Sequence, residues 1–213
     1  MIERILPSWV ACADAFRDPP GAALFPEEEA VVAGAVDKRR REFTTARHCA
    51  RQALSRLGLP PAPIPADGDG APMWPDGVAG AITHCAGYRA AAVSLKAVAV
   101  GIDAEPHGPL PPGVLQAIAL DRERDALERL GGPVHWDRLL FSAKESVYKA
   151  WFPLARRWLD FEEALVAFEP SGTFTARLLV PGPLVAGRRL TGFTGRWLVA
   201  DGLAVTAVTL PAG

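Results

Sequence analysis

Cysteine is scarce, and what there is forms no pattern. Cys12, Cys49 and Cys85 are the only three in 213 residues, an odd number, far apart and without any CxxC spacing. That argues against a disulfide framework and a structural zinc site, and predicts reduced thiols in a cytoplasmic setting. Long apolar runs are missing too. The most apolar segment, Ala90 to Ile102, is interrupted by Ser94 and Lys96 and falls short of the ~20 residues a spanning helix requires. The first residues put Glu3 and Arg4 ahead of a short stretch broken by Pro7, so no secretory signal is predicted. An excess of one charge is also absent, 23 Lys and Arg standing against 24 Asp and Glu for a formal net charge of −1. The chain is neither a polycation nor a disordered polyelectrolyte.

What is present is a core former, 49% hydrophobic, with 20 glycines and 20 prolines. That Gly and Pro content stays below the roughly 25–30% at which low-complexity behaviour is the better reading. The length fits one domain or two closely packed halves. Pro26 followed by Glu27, Glu28 and Glu29 opens a helix, because proline suits the first turn and carboxylates there meet the positive end of the dipole. A helical pattern resumes after Gly34 and runs to Gly58, with Phe43, Ala46, Ala50, Ala53, Leu54 and Leu57 on one face. The connector from Pro60 to Pro75 holds six prolines and is extended or looped. Strands are predicted over 79–85 and 90–105, with turns at Ala86-Gly87 and near Lys96. Helices follow over Gly113–Leu130 and Trp136–Trp151, and the rest alternates as an antiparallel meander.

Three groups of residues carry chemistry. Asp103 and Glu105, two apart on a strand, share a face and offer two hard oxygen ligands suited to Mg²⁺; a polar strand end reaching solvent has the same pattern. Glu145 and Lys149 are an i, i+4 pair on a helix framed by Phe141, Tyr148, Trp151 and Phe152, which reads either as a surface ion pair or as part of a buried site. Lys38 to Arg56 holds seven Lys and Arg against the single acid Glu42. Such a stripe serves as a solvated face, a nucleic-acid contact or a pocket for a phosphorylated ligand, and no aromatic interleaving supports the nucleic-acid version. His84, at a strand end, is by itself more often a satisfied structural histidine than a functional one.

These signals occur in the order of one family. RRREFTTARHCARQAL (39–54), PMWPDG (72–77), ITHCAGYRAAAV (82–93), GIDAEP (101–106) and FSAKESVYKAWFP (141–153) resemble the Sfp-type 4'-phosphopantetheinyl transferases, especially the branch like enterobactin synthase component D and its actinobacterial relatives. The resemblance covers nearly the whole chain. It implies an α+β fold of two similar halves related by a pseudo-two-fold, here 1–100 and 101–213, with the active site in the cleft between them. It further implies Mg²⁺-dependent transfer of phosphopantetheine from coenzyme A to a serine of an apo acyl or peptidyl carrier protein, releasing adenosine 3',5'-bisphosphate. The synthases so activated make fatty acids, polyketides or nonribosomal peptides.

By the same resemblance Asp103, Glu105 and Glu145 are metal ligands, Glu145 is the candidate base, and Asp103, Glu145 and Lys149 form the catalytic set. Lys144 and Lys149 hold phosphates, His84 adds a phosphate contact, and Arg39 and Arg47 bind the adenosine 3'-phosphate, with Arg40 and Arg51 as helpers. A cytoplasmic monomer is implied, with no nucleic-acid or membrane partner. One departure stands out: many relatives carry a Lys or Arg in the connector where this chain has Ala66, Asp67, Asp69 and Gly70. Carboxylates and a basic cluster alone equally permit a Mg²⁺-dependent nucleotide pyrophosphate hydrolase, and the helix 38–56 alone permits a non-catalytic nucleic-acid binder.

Overall fold

The computed structural model describes residues 1–212. Its first part is a three-stranded antiparallel sheet in the order β1-β3-β2, built from β1 (Ala11–Ala15), β2 (Ala79–Cys85) and β3 (Tyr88–Ser94). The tight turn at Ala86-Gly87 pairs Cys85 with Tyr88, as its glycine predicts. A single helical turn, α1 (Pro26–Glu29), precedes the 20-residue α2 (Asp37–Arg56). The apolar face of α2 puts Cys49, Ala50, Ala53 and Leu54 against Ala13, Ala91 and Val93 of the sheet. The helix ends in a Schellman turn, Gly58 N–H bonding the Ser55 carbonyl and Leu59 N–H that of Leu54.

The second part is a five-stranded antiparallel sheet in the order β4-β10-β9-β6-β5. Its strands are β4 (Ala97–Pro106), β5 (Ala164–Glu169), β6 (Thr173–Leu178), β9 (Gly192–Ala200) and β10 (Leu203–Pro211), and a small ribbon of β7 (Leu184–Val185) and β8 (Arg188–Arg189) hangs between β6 and β9. The long helix α5 (Trp136–Ala155) lies on β4 and β10. Gly101 allows this: a Cβ there would sit 1.9 Å from the carbonyl oxygen of Ser146, so the backbone of α5 rests directly on β4. The glycine of the GIDAEP segment therefore brings the helix carrying Glu145 down beside the strand carrying Asp103.

Two expectations need correction. The helix expected over Gly113–Leu130 is two, α3 (Val114–Ile118) and α4 (Asp121–Leu130), separated by the extended Ala119. The break is fixed by Glu123, whose side chain turns back to accept the Leu120 N–H at 2.8 Å. Helix α5 also passes Trp151 and continues through Pro153 to Ala155, ending at Arg156 in the left-handed conformation. Pro153 stands in the last turn and costs the helix the one hydrogen bond that its missing N–H would have made.

The two sheets meet where β2 packs against β4. There is no backbone ladder at that seam; instead the buried hydroxyl of Thr83 on β2 accepts the Ala104 N–H and donates to Asp103 Oδ1, both at 3.1 Å. An apolar cluster containing Ile2, Ile5 and Tyr88 together with Val100, Ile102 and Val205 backs the seam.

Candidate active site

A cleft of about 530 Å³ opens between the two sheets' helices, within the range of small-molecule sites. One wall is α2, giving Arg39, Phe43 and Arg47; the floor includes Ile82 and His84 of β2; the opposite wall is α5, giving Glu145, Tyr148, Lys149 and Phe152. The last four recur at i, i+3, i+4 and i+7, one face of a helix. The connector closes the remaining side with Asp67, Asp69 and Trp74. Trp74 lies on β2, its indole N–H donating to the Gly80 carbonyl at 2.9 Å, and only a glycine at 80 leaves room, since a Cβ would approach the ring to 2.7 Å.

The connector is held from below by a buried carboxylate. Glu28 is 0% exposed and accepts the Ile64 N–H at 2.8 Å and the Arg51 guanidinium at 2.8 and 2.9 Å. Arg47, also buried, donates its Nε–H to the Ile64 carbonyl at 2.6 Å and stacks over Phe43 at 4.1 Å. Burial pushes its guanidinium down to about 10, so it stays charged at neutral pH. With one of five N–H groups spent on Ile64, Arg47 keeps others for a ligand in the cleft.

Arg39 Nη1 lies 2.5 Å from His84 Nε2. A guanidinium only donates, so Nε2 accepts and the ring proton sits on Nδ1, which faces Glu42 at 3.8 Å. Burial, with Arg39 adding to it, holds His84 below the usual imidazole range and keeps that ring neutral.

Across the cleft, Lys149 donates to Asp103 Oδ1 at 2.7 Å and to the Ile102 carbonyl at 3.1 Å. Thr83 also donates to Oδ1. Both bonds fall on the same oxygen, and the other, Oδ2, is buried with no hydrogen-bond partner. A carboxyl oxygen withdrawn from water and left without a partner is unusual and marks a place for a cation. Burial pushes the Glu145 carboxyl up, Asp103 adding to the push and Lys149 opposing it. Burial and Asp103 likewise raise Glu105, against the opposing charge of Arg138. The three carboxylates form an under-neutralised group, although among the described residues no three His, Cys, Asp or Glu side chains converge as a ready-made cage. They fit a cation that shares its shell between carboxylates, water and phosphate, which is the habit of Mg²⁺.

Of the residues singled out in the sequence, Arg39, Arg47, His84, Glu145 and Lys149 line this cleft, and Asp103 reaches it through Lys149. Glu105 lies outside the cleft lining, turned to Arg138. Three residues are not brought in. Lys144 is one position from Glu145 and so turned about 100° away; its ammonium is buried against Glu123 and the carbonyls of Phe161 and Ala164. Arg40 pairs with Glu29 and Arg51 with Glu28 on α1, and neither lines the cleft. Thr83, Glu28 and Arg156 were not singled out. Arg156 caps α5 and donates to Asp67 Oδ2 at 3.0 Å, which returns a cation to the connector where the sequence lacks one.

Two family models match the two parts of the chain. The model of the 4'-phosphopantetheinyl transferase N-terminal domain matches residues 27–94, and that of the 4'-phosphopantetheinyl transferase superfamily matches 99–200. The 4'-phosphopantetheinyl transferase Svp of Streptomyces mobaraensis is 58% identical over 100% of this chain and 91% of its own. The 4'-phosphopantetheinyl transferase PptT of Mycobacterium tuberculosis is 50% identical over 99% and 98%. Enterobactin synthase component D of Salmonella typhi is more distant, 36% identical over 53% of this chain and 48% of its own. The chain, with its cleft between a basic helix and the Glu145–Lys149 helix, belongs to the 4'-phosphopantetheinyl transferase superfamily.

Proposed function

We propose that the protein transfers the 4'-phosphopantetheine group of coenzyme A to a serine hydroxyl of apo acyl or peptidyl carrier proteins, with Mg²⁺, releasing adenosine 3',5'-bisphosphate. The observation that carries the reading is one cleft in which the cations Arg39 and Arg47 face a carboxylate and a lysine of α5, next to the bare Asp103 Oδ2. Arg39 and Arg47, with His84 beside them, bind the phosphates at the adenosine end, guanidinium forks matching phosphate geometry. Lys149 uses two of its three N–H groups on Asp103 and Ile102, and the third holds the pyrophosphate and the charge that builds on the leaving group.

Glu145 accepts the serine proton, directly or through a water, and its raised affinity for protons suits that role. The serine oxygen bonds to the pantetheine-side phosphorus while the bond from that phosphorus to the bridging oxygen breaks. Asp103, Glu105 and Glu145 are the residues that would hold Mg²⁺, which supplies neutralisation of the phosphate oxygens. Arg39, Arg47 and His84 come from the half 1–100, and the carboxylates with Lys149 from the half 101–213. No helix among the described residues is long and apolar enough to cross a membrane, and we take the protein to act as a cytoplasmic monomer independent of nucleic acid.

The test is the intact mass of an apo carrier protein after incubation with the protein, coenzyme A and Mg²⁺, beside a sample with chelator. A phosphopantetheine mass gain abolished by chelator is expected. Coenzyme A consumed without any gain on several carriers would overturn the transferase in favour of a pyrophosphate hydrolase.

A further inference from the structure

Glu105 is a proposed metal ligand outside the cleft lining, and the residue that pairs with it explains how it is held. Arg138 Nη1 donates to Glu105 Oε2 at 3.0 Å, Nε to the Gly108 carbonyl at 3.2 Å and Nη2 to the Pro109 carbonyl at 2.9 Å. All three nitrogens of one guanidinium therefore grip the five-residue stretch that follows Asp103 and Ala104. Arg138 and Glu105 are both mostly sheltered from solvent, their side chains 18% and 21% exposed, so screening is reduced and the fork is pre-organised. Arg138 also stands seven residues before Glu145 on α5, on the same helix face and about 10 Å along the axis.

We propose that Arg138 is a positioning residue for the metal site: by gripping Glu105 Oε2 and the turn behind it from α5, it presents Glu105 Oε1 to the cation at a fixed separation from Glu145. This rests on the magnesium reading above. The pattern is complementary to that at Asp103, where Thr83 and Lys149 both occupy Oδ1 and leave Oδ2 bare. Each carboxylate of the strand is held through one oxygen, and the other oxygen is left for the cation. Ligating carboxylates are commonly oriented by such outer hydrogen bonds, whose loss typically weakens metal binding by about 10–100-fold.

Two neighbouring contacts supply the control. Asp137 Oδ2 accepts the Leu110 N–H at 2.7 Å, and His107 Nε2 accepts the His135 N–H at 3.0 Å. Both staple the same turn to the start of α5 without touching Glu105. If ordering of the turn were all that mattered, removing them would act like removing Arg138.

The experiment titrates Mn²⁺ into the full chain, alone and with coenzyme A, and reads free Mn²⁺ by its electron paramagnetic resonance signal, with a thermal melt of each variant. Arg138→Met is expected to weaken Mn²⁺ binding by about 10–100-fold, Arg138→Lys by less, and Asp137→Ala and His107→Ala to leave it within about twofold of the parent. Should Arg138→Met not fold, Arg138→Lys carries the test, since it keeps the charge and loses the fork. Parent-like Mn²⁺ binding by the Arg138 variants, or equal weakening by Asp137→Ala and His107→Ala, would overturn the proposal alone. A parent that binds no Mn²⁺ even with coenzyme A would overturn the magnesium reading, and the proposal with it.

Discussion

Helix α5 carries two lysines five residues apart, each with its ammonium 2.7–2.8 Å from a carboxylate, and they do opposite things. Lys144 is closed. Its three N–H groups meet Glu123, the Phe161 carbonyl and the Ala164 carbonyl, while Glu123 also accepts the N–H groups of Leu120 and Val166. Every polar atom of that pair is satisfied, and it joins α4, α5 and the start of β5. Lys149 is open, with two acceptors for three N–H groups and a partner, Asp103, whose second oxygen has none. The difference is one of completion: a saturated buried pair fixes a fold, and an unsaturated one beside a cleft leaves capacity for a ligand.

The largest effect expected is on the open pair. Asp103→Ala or Lys149→Ala should lower transfer to a carrier protein by about 10²–10³-fold or more, because the first removes a proposed ligand of the cation and the second an ammonium aimed at the reacting phosphate. For Asp103→Ala the melting temperature should stay within a few degrees, because the Lys149 left behind is 26% exposed and can be hydrated, which circular dichroism will check. A loss of fold in place of a loss of rate would erase the distinction between the two pairs.

The closed pair should respond the other way. Removing one partner of a buried ion pair leaves an uncompensated charge at a cost of about 3–5 kcal/mol. Lys144→Ala should therefore lower the melting temperature by roughly 10 °C in a chain of this size. The Michaelis constant for coenzyme A, measured on the folded fraction, should not move. If Lys144→Ala instead keeps its melting temperature and raises the coenzyme A requirement, Lys144 belongs with the phosphate-binding residues.

A third contrast lies within α2, where the sequence shows one basic stripe and the structure divides it. Arg47 is expected to matter for binding, and Arg47→Ala should raise the coenzyme A Michaelis constant by about 10–100-fold, the worth of one or two charged hydrogen bonds. Arg51, clamped on Glu28, should act on stability and leave that constant near its parent value. Saturation kinetics on both variants decide this.

These contrasts also mark what local pattern can and cannot reveal. The course of α2, its stop at Gly58, the non-helical connector and the Ala86-Gly87 hairpin all follow from periodicity and turn chemistry, which act within a few residues. The pairs 103/105 and 145/149 were legible for the same reason, as strand and helix repeats. What stayed hidden depends on partners far along the chain. Glu28 reads as a carboxylate on the first turn of a helix, yet it is buried against Ile64, 36 residues on. The break before α4 comes from a buried glutamate whose other ligand is Lys144. Thr83 and Arg138 carry no distinguishing local signal, because their roles are set across the seam and between helix and turn.

The smallest effect expected is also the one with an unintuitive sign. Burial raises the Glu145 carboxyl above its ordinary value of 4.5, so the folded protein holds this proton more tightly than the unfolded chain does. Stability tied to the protonated form is full below that ordinary value and is lost as pH rises through the raised one. Glutamine has no proton to lose. In the presence of chelator, Glu145→Gln should thus melt slightly higher than the parent at pH 7.5, by about 1–4 °C, and the gap should close near pH 4. The same substitution should abolish transfer, separating the stability of the empty site from its chemistry. A Glu145→Gln protein that melts lower than the parent at pH 7.5 would mean that the attraction of Lys149 outweighs burial, and that the carboxylate is stabilised in the fold before any cation arrives.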